Sequence, residues 1–186
     1  VTIVNPNKIS ELQDYNVLIY YQPNANFKSV FDKNANTKIN TFTITGTQTN
    51  FGFLNQYQNS LVFKMSNQKE NYLAGFNPKF NLFALDDIGF ESFPPLENAF
   101  GTIQTNNNVS VLLTSKIRNI ETNMPLLVYG ENQGNRSAFL LGENIWKWRM
   151  QTFRNDQSFK NFDDFLSKLV LYLTTTKPKT RLMLDY

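Results

Sequence analysis

The sequence predicts an α/β domain: a mostly parallel sheet flanked by helices, with an antiparallel β elaboration around residues 60–118. Three observations carry this expectation. Strand-like and helix-like runs alternate near both ends of the chain, the order expected of βαβ units. The strand runs there are almost continuously apolar, as in strands covered on both faces. The middle instead offers short strand runs separated by turn residues.

Each element has its own signal. Asn16 to Tyr21 is apolar and β-rich, and Gln22-Pro23-Asn24 ends it. Phe27, Val30 and Phe31 then recur at helical spacing up to Lys33. Asn40 to Thr45 reads as a second strand closed by Gly46, and Thr49 or Asn50 suits the N-cap of a short helix carrying Phe53, Leu54 and Tyr57. Leu61 to Met65, Phe100 to Gln104 and Ser110 to Lys116 read as strands, with Asn106-Asn107-Asn108 as a hairpin turn between the last two. Pro125 to Tyr129 and Ser137 to Leu141 read as strands joined through Gly130 to Arg136. A helix is expected from near Ile145. Another, over residues 162–173, aligns Phe162, Phe165, Leu166, Leu169, Val170 and Leu173 on one stripe. Asn161 is its expected cap, Asp163 and Asp164 suit its positive end, and Pro178 marks its exit. Val1 to Val4 and Arg181 to Tyr186 read as strands cut short. The 186 residues are therefore expected to form a single domain, a fragment of a longer protein.

Composition narrows the chemistry. There is no histidine and no cysteine. Histidine is the usual general base near neutral pH and cysteine the strongest side-chain nucleophile, so Ser-His-Asp and Cys-His arrangements and thiolate or imidazole zinc sites are excluded. Carboxylate pairs, lysine and tyrosine remain. Net charge is +3, and residues 145–181 hold eight Lys or Arg against three Asp. Those cations are scattered at helical spacing rather than clustered, which fits a solvated face better than a phosphate-binding one, and no nucleic-acid partner is expected. No apolar run approaches the roughly 18 to 20 residues of a membrane span.

The most distinctive segment runs from Gly134 to Arg149. Its strand delivers Gly142 and Glu143 to a carboxyl end, where open α/β sheets bind ligands. Trp146 and Trp148 follow, two residues apart and so on different helical faces: one is expected in the core, the other at the surface. Gly46-Thr47-Gln48-Thr49 before a helix offers backbone N–H groups to an anion, although an ordinary cap is the simpler reading. Asp86, Asp87 and Glu91 lack the alternation of a calcium loop and read as a solvated acidic turn. Glu143 has no second carboxylate near it in sequence with which to share acid–base work.

The string Leu140 to Arg154, reading LLGENIWKWRMQTFR, and the helix that follows resemble a family of long membrane-anchored Bacteroidetes proteins associated with von Willebrand factor A domains. Their extracytoplasmic domain is related to class I glutamine amidotransferases and to trehalose-utilisation (ThuA-like) proteins. Tyr15 to Tyr20 before Gln22-Pro23, Thr45 to Thr49, and Phe93 to Leu96 carry the likeness along the chain. It implies a flavodoxin-like sheet and a periplasmic or extracytoplasmic setting within a membrane-anchored parent. The family's amidotransferase cysteine and histidine are absent, Glu143 stands where ThuA-like relatives often have histidine, and the family's first strand and helix have no counterpart. The function this implies is a non-catalytic interaction or ligand-sensing domain of a larger cell-envelope protein; the alternative is a carbohydrate-binding or carbohydrate-active domain. Expected partners are other domains of the parent, envelope proteins, a small sugar or anion, and a second copy of the chain. The expected ligand residues are Gln22, Gly46, Thr47, Gly142, Glu143, Asn144 and Trp146, with no catalytic residue, metal or cofactor.

Overall fold

In a computed structural model, residues 1–175 are described, except Ser10, Asn107 and Asn119. Among the described residues seven strands and four α-helices follow in the order β1 Val17–Tyr21, α1 Lys28–Thr37, β2 Asn40–Ile44, α2 Phe51–Tyr57, β3 Leu61–Phe76, β4 Leu96–Thr105, β5 Val109–Ile117, β6 Ile120–Asn132, β7 Asn135–Leu140, α3 Trp146–Asp156 and α4 Lys160–Thr174. The strands form one mixed sheet in the order β1-β2-β7-β6-β5-β3-β4, curled into a half-barrel.

This is not the mostly parallel, flavodoxin-like sheet that the sequence suggests. Parallel pairing is confined to β1–β2 and β2–β7, whereas β7–β6, β6–β5, β5–β3 and β3–β4 are all antiparallel. The antiparallel part is therefore the larger one, not an elaboration around residues 60–118. Residues 125–129 and 137–141 mark the error most clearly. Their strands extend toward each other until Asn132 pairs with Asn135, leaving Gln133 and Gly134 as a two-residue turn. Both have positive φ, 50° and 87°, the backbone that lets a tight hairpin match strand twist. A parallel crossover needs a dozen or more residues, so this link forbids one. Since β1, β2 and β7 are direct neighbours, no central position awaits the family's first strand.

β3 produces the curl. Its first part, Leu61 to Tyr72, pairs with β4 across a bulge between Met65 and Lys69, and its last part, Leu73 to Phe76, pairs with β5. β3 thus separates β4 from β5, so those strands are not the hairpin pair expected around Asn106-Asn107-Asn108, of which Asn107 lies outside the described residues; the Asn106 N–H donates to Ser60 O, 3.0 Å away. The sheet returns at its far end, where β4 meets the end of β7 in an isolated antiparallel bridge between Glu97 and Glu143. At Gly142 a Cβ would sit 2.6 Å from Leu96 Cβ, so only glycine permits this approach.

Helices cover both faces. α3 and α4 place Trp148, Phe162, Phe165, Leu169 and Leu173 on Phe42, Leu112, Leu127, Ala138 and Leu140. Within the curl, α2 packs Phe51 and Leu54 with Leu61, Phe63, Val128, Phe139 and Leu141. α1 sets Val30 over Leu18 and Tyr20. The Asn50 side chain caps α2 by accepting from Phe53 N at 2.9 Å. Other local expectations fail. Asn161 lies inside α4 and donates to Asp156, and the N-cap position is Phe159, without a side-chain cap. Val170 is 41 % exposed, off the buried stripe. Val1 to Val4 form no strand. Pro178 and Arg181 to Tyr186 lie outside the described residues.

Candidate functional site

β1, β2 and β7 run in parallel, so the segments after them converge at one end of the sheet. These segments supply Gln22, Gly46, Thr47, Gly142, Glu143 and Asn144. Glu143 is the hub. Its Oε1 accepts from the Thr47 N–H at 2.8 Å and the Thr47 hydroxyl at 2.7 Å, and its Oε2 accepts from Gln22 Nε2 at 2.8 Å. The Gln22 Oε1 accepts from Gln48 N at 2.7 Å, so one amide ties the carboxylate to the loop on both sides. Gly46 lies beneath: a Cβ there would come within 2.7 Å of Gln22 Cδ and 2.9 Å of Glu143 Cδ. The space a side chain would need is already filled. Gln22 and Asn144 both hold positive φ, 46° and 75°, which turns the chain sharply after β1 and β7.

Burial works against ionisation of Glu143, but the Thr47 N–H and hydroxyl, the Gln22 amide and the charge of Lys69 together hold its carboxyl below the ordinary glutamate range. The loop Gly46 to Thr49 does bind an anion, and that anion is the protein's own carboxylate. A depressed folded pKa means stability that is complete above the unfolded value, about 4.3, and is lost as pH falls through the folded one. Glu143→Gln puts an amide where three donors converge. We expect it to cost about 1.5–3 kcal/mol at neutral pH, the range for hydrogen bonds to a charged group. We also expect it to flatten the stability profile below about pH 5. Urea unfolding midpoints at a series of acid pH values measure both; an unchanged acid slope would assign the titration to another group.

The sequence gives no sign of a second carboxylate here, but the curl of the sheet supplies one. Glu97 bridges to Glu143 through the backbone, while its Oε1 accepts from Asn144 Nδ2 at 2.8 Å and from Lys147 Nζ at 3.1 Å. Each carboxylate thus has its own donors. Beneath them Asn98, fully buried, donates to Thr45 Oγ1 and Leu141 O, each at 3.0 Å, and accepts from Ala99 N at 2.9 Å. A local signal existed for Asn98, a polar residue at a core position of an apolar strand. Glu97 had none, because its place depends on the return of β4.

The two tryptophans divide as their spacing implies. Trp148 is fully buried and donates from Nε1 to Pro94 O at 2.8 Å, while Trp146 is 61 % exposed at the start of α3. The nearby cations are committed: Lys147 to Glu97, and Arg149 to Asp163 in a bidentate pair of 2.8 and 3.0 Å over the Phe159 ring. Asp87 accepts from Gly89 N and Phe90 N, and Glu91 pairs with Lys116 at 2.7 Å. Among the described residues no group of three or more acidic side chains is placed to hold a metal. Compared with protein-family models and with curated proteins, the chain matches none.

Proposed function

We propose that this domain is a non-catalytic interaction or ligand-sensing module of a larger cell-envelope protein. The observation that carries the reading is the network around Glu143: three hydrogen bonds from Thr47 and Gln22 hold the carboxylate ionised, so it has no proton to give as a general acid. The filled space at Gly46 favours this over a carbohydrate-active crevice at the same place. Interaction is supported by β1 as the outermost strand among the described residues, where Ile19 and Tyr21 are 49 % and 54 % exposed, and by exposed Val170 and Leu171 on α4. The envelope setting rests on the resemblance of the Leu140 to Arg154 string. No helix among the described residues is long and apolar enough to cross a membrane.

Incubation with glutamine or with chromogenic glycosides tests the reading. Neither ammonia nor chromophore is expected above background from about pH 5 to 9, the window in which enzymatic acids and bases normally work. Turnover that disappears in Glu143→Ala would overturn it.

A further inference from the structure

A second polar region lies on the opposite end of the parallel strands and on the helix-covered face that carries α1 and α2. β2 reads Thr41-Phe42-Thr43-Ile44 from its second residue onward, and Thr45 follows it. Strand alternation sends Phe42 and Ile44 to the α4 side and the threonines to the α1–α2 side. A sheet face beneath helices is ordinarily apolar. Here it opens into a groove of about 260 Å³ with Thr41, Thr43 and Ser137 on its floor; Thr41 and Ser137 are register partners on β2 and β7.

The floor is lined by hydroxyls. Thr43 is 2 % exposed, and its hydroxyl and that of the half-buried Thr41 make no hydrogen bond to another described residue. Ser137 holds one long bond, 3.5 Å to Gly130 O. Tyr20, 4 % exposed, buries its hydroxyl beside the Asn34 side chain, itself on the groove wall. Hydroxyls that line one groove and are not used up by bonds within the fold can donate to and accept from a molecule held there. The opposite wall is the Tyr57 ring, held by Phe31 and Phe53 at 5.2 and 4.6 Å and by its hydroxyl donating to Asp32 at 3.1 Å. Asn132 and Asn135, on either side of the β6–β7 turn, add neutral amides at the rim.

Charge decides the ligand class. No carboxylate lines the groove, and the Arg136 guanidinium is turned to the other side, donating to Tyr172 O and Thr175 O over the Tyr172 ring. Lys38 is the remaining cation on the lining. Hydroxyls and amides that both donate and accept, beside a fixed aromatic face, match a molecule with alternating O–H and C–H surfaces. We propose that this groove binds a neutral polyhydroxylated small molecule of mono- or disaccharide size. The proposal rests on the reading of the domain as a binding module but uses a site remote from Glu143.

Amide chemical-shift mapping of the whole chain tests it, with D-glucose, D-galactose, N-acetyl-D-glucosamine and maltose as probes. A few neutral hydrogen bonds provide affinities of about millimolar order, so titration to roughly 50 mM is sufficient. The expected result is saturable shifts at Thr41, Thr43, Asn135 and Ser137 with at least one sugar. Binding should weaken about fivefold to tenfold in Thr43→Val, which keeps the β-branched shape and removes the hydroxyl, and in the rim variant Asn135→Ala. No shifts, or shifts that neither variant weakens, overturn the proposal. So do equal shifts with inorganic phosphate or sulfate that vanish in Lys38→Ala, since those would make the groove an anion site. Hydrolysis of a bound sugar would refute the non-catalytic reading while leaving this site standing; absence of sugar binding would do the reverse.

Discussion

Trp148→Ala should lower stability by about 3–5 kcal/mol, the usual cost of removing a large aromatic side chain from a core. The indole is fully buried between α3 and the segment before β4, with Phe90 and Phe93 at 5.8 and 5.7 Å. Its N–H is also the donor to Pro94 O, so truncation strips that carbonyl of its partner as well as opening a cavity. Trp148→Phe separates the two effects. It keeps most of the volume and loses the donor, and it should cost markedly less than the alanine variant. Urea unfolding of the three proteins measures this. Equal losses for Phe and Ala would mean that the hydrogen bond, not the packing, holds this corner.

Leu169→Ala should cost about 2–5 kcal/mol. Leu169 is 1 % exposed and belongs to the same core as Phe165, Leu173 and the apolar face of β2 and β7. The contrast with the next residue makes the test sharp: Val170, on the outer side of α4 at 41 % exposure, should tolerate alanine within about 0.5 kcal/mol, as surface substitutions usually do. If the two losses came out similar, the face of α4 that meets the sheet would have to be redrawn.

How much of this could be read in advance depends on the range of the signal. β1, β2 and β7 are legible because dense apolar runs end in turn residues, and the buried stripe of α4 because Phe162, Phe165, Leu169 and Leu173 repeat at helical spacing. The orientation of β6 was also within reach: Gly130 to Arg136 is too short for a parallel crossover, a limit on chain length that outranks the resemblance to a parallel fold. The length of β3 was not, since Ser66 to Glu70 are polar and lie in a ribbon without an apolar face, so alternation gives no sign of a strand. At the candidate site, Gln22, Gly46, Thr47 and Glu143 are legible as residues that directly follow parallel strands. That Glu143 serves Thr47 and Gln22 rather than a ligand is a matter of ångströms and has no local signature. The threonine alternation of β2 is visible in the string itself, but its meaning depends on which face the helices cover.

The register of β2 with β7 also governs how the chain can assemble. Asn40 accepts a hydrogen bond from the N–H of Arg136, 96 residues away, whereas β5, β6 and β7 are joined to one another by turns of two residues. Closing a short turn costs little entropy, and enclosing β2 requires a very long loop to be closed first. The β5–β6–β7 meander is therefore the natural early structure, and β1 and β2 dock on it late. Substitutions in the meander should then slow folding, while those in β1 and β2 should mainly hasten unfolding. The polar groove and the Glu143 network both lie across the β2–β7 seam. Both depend on that one pairing, so whatever loosens the seam is expected to loosen both at once.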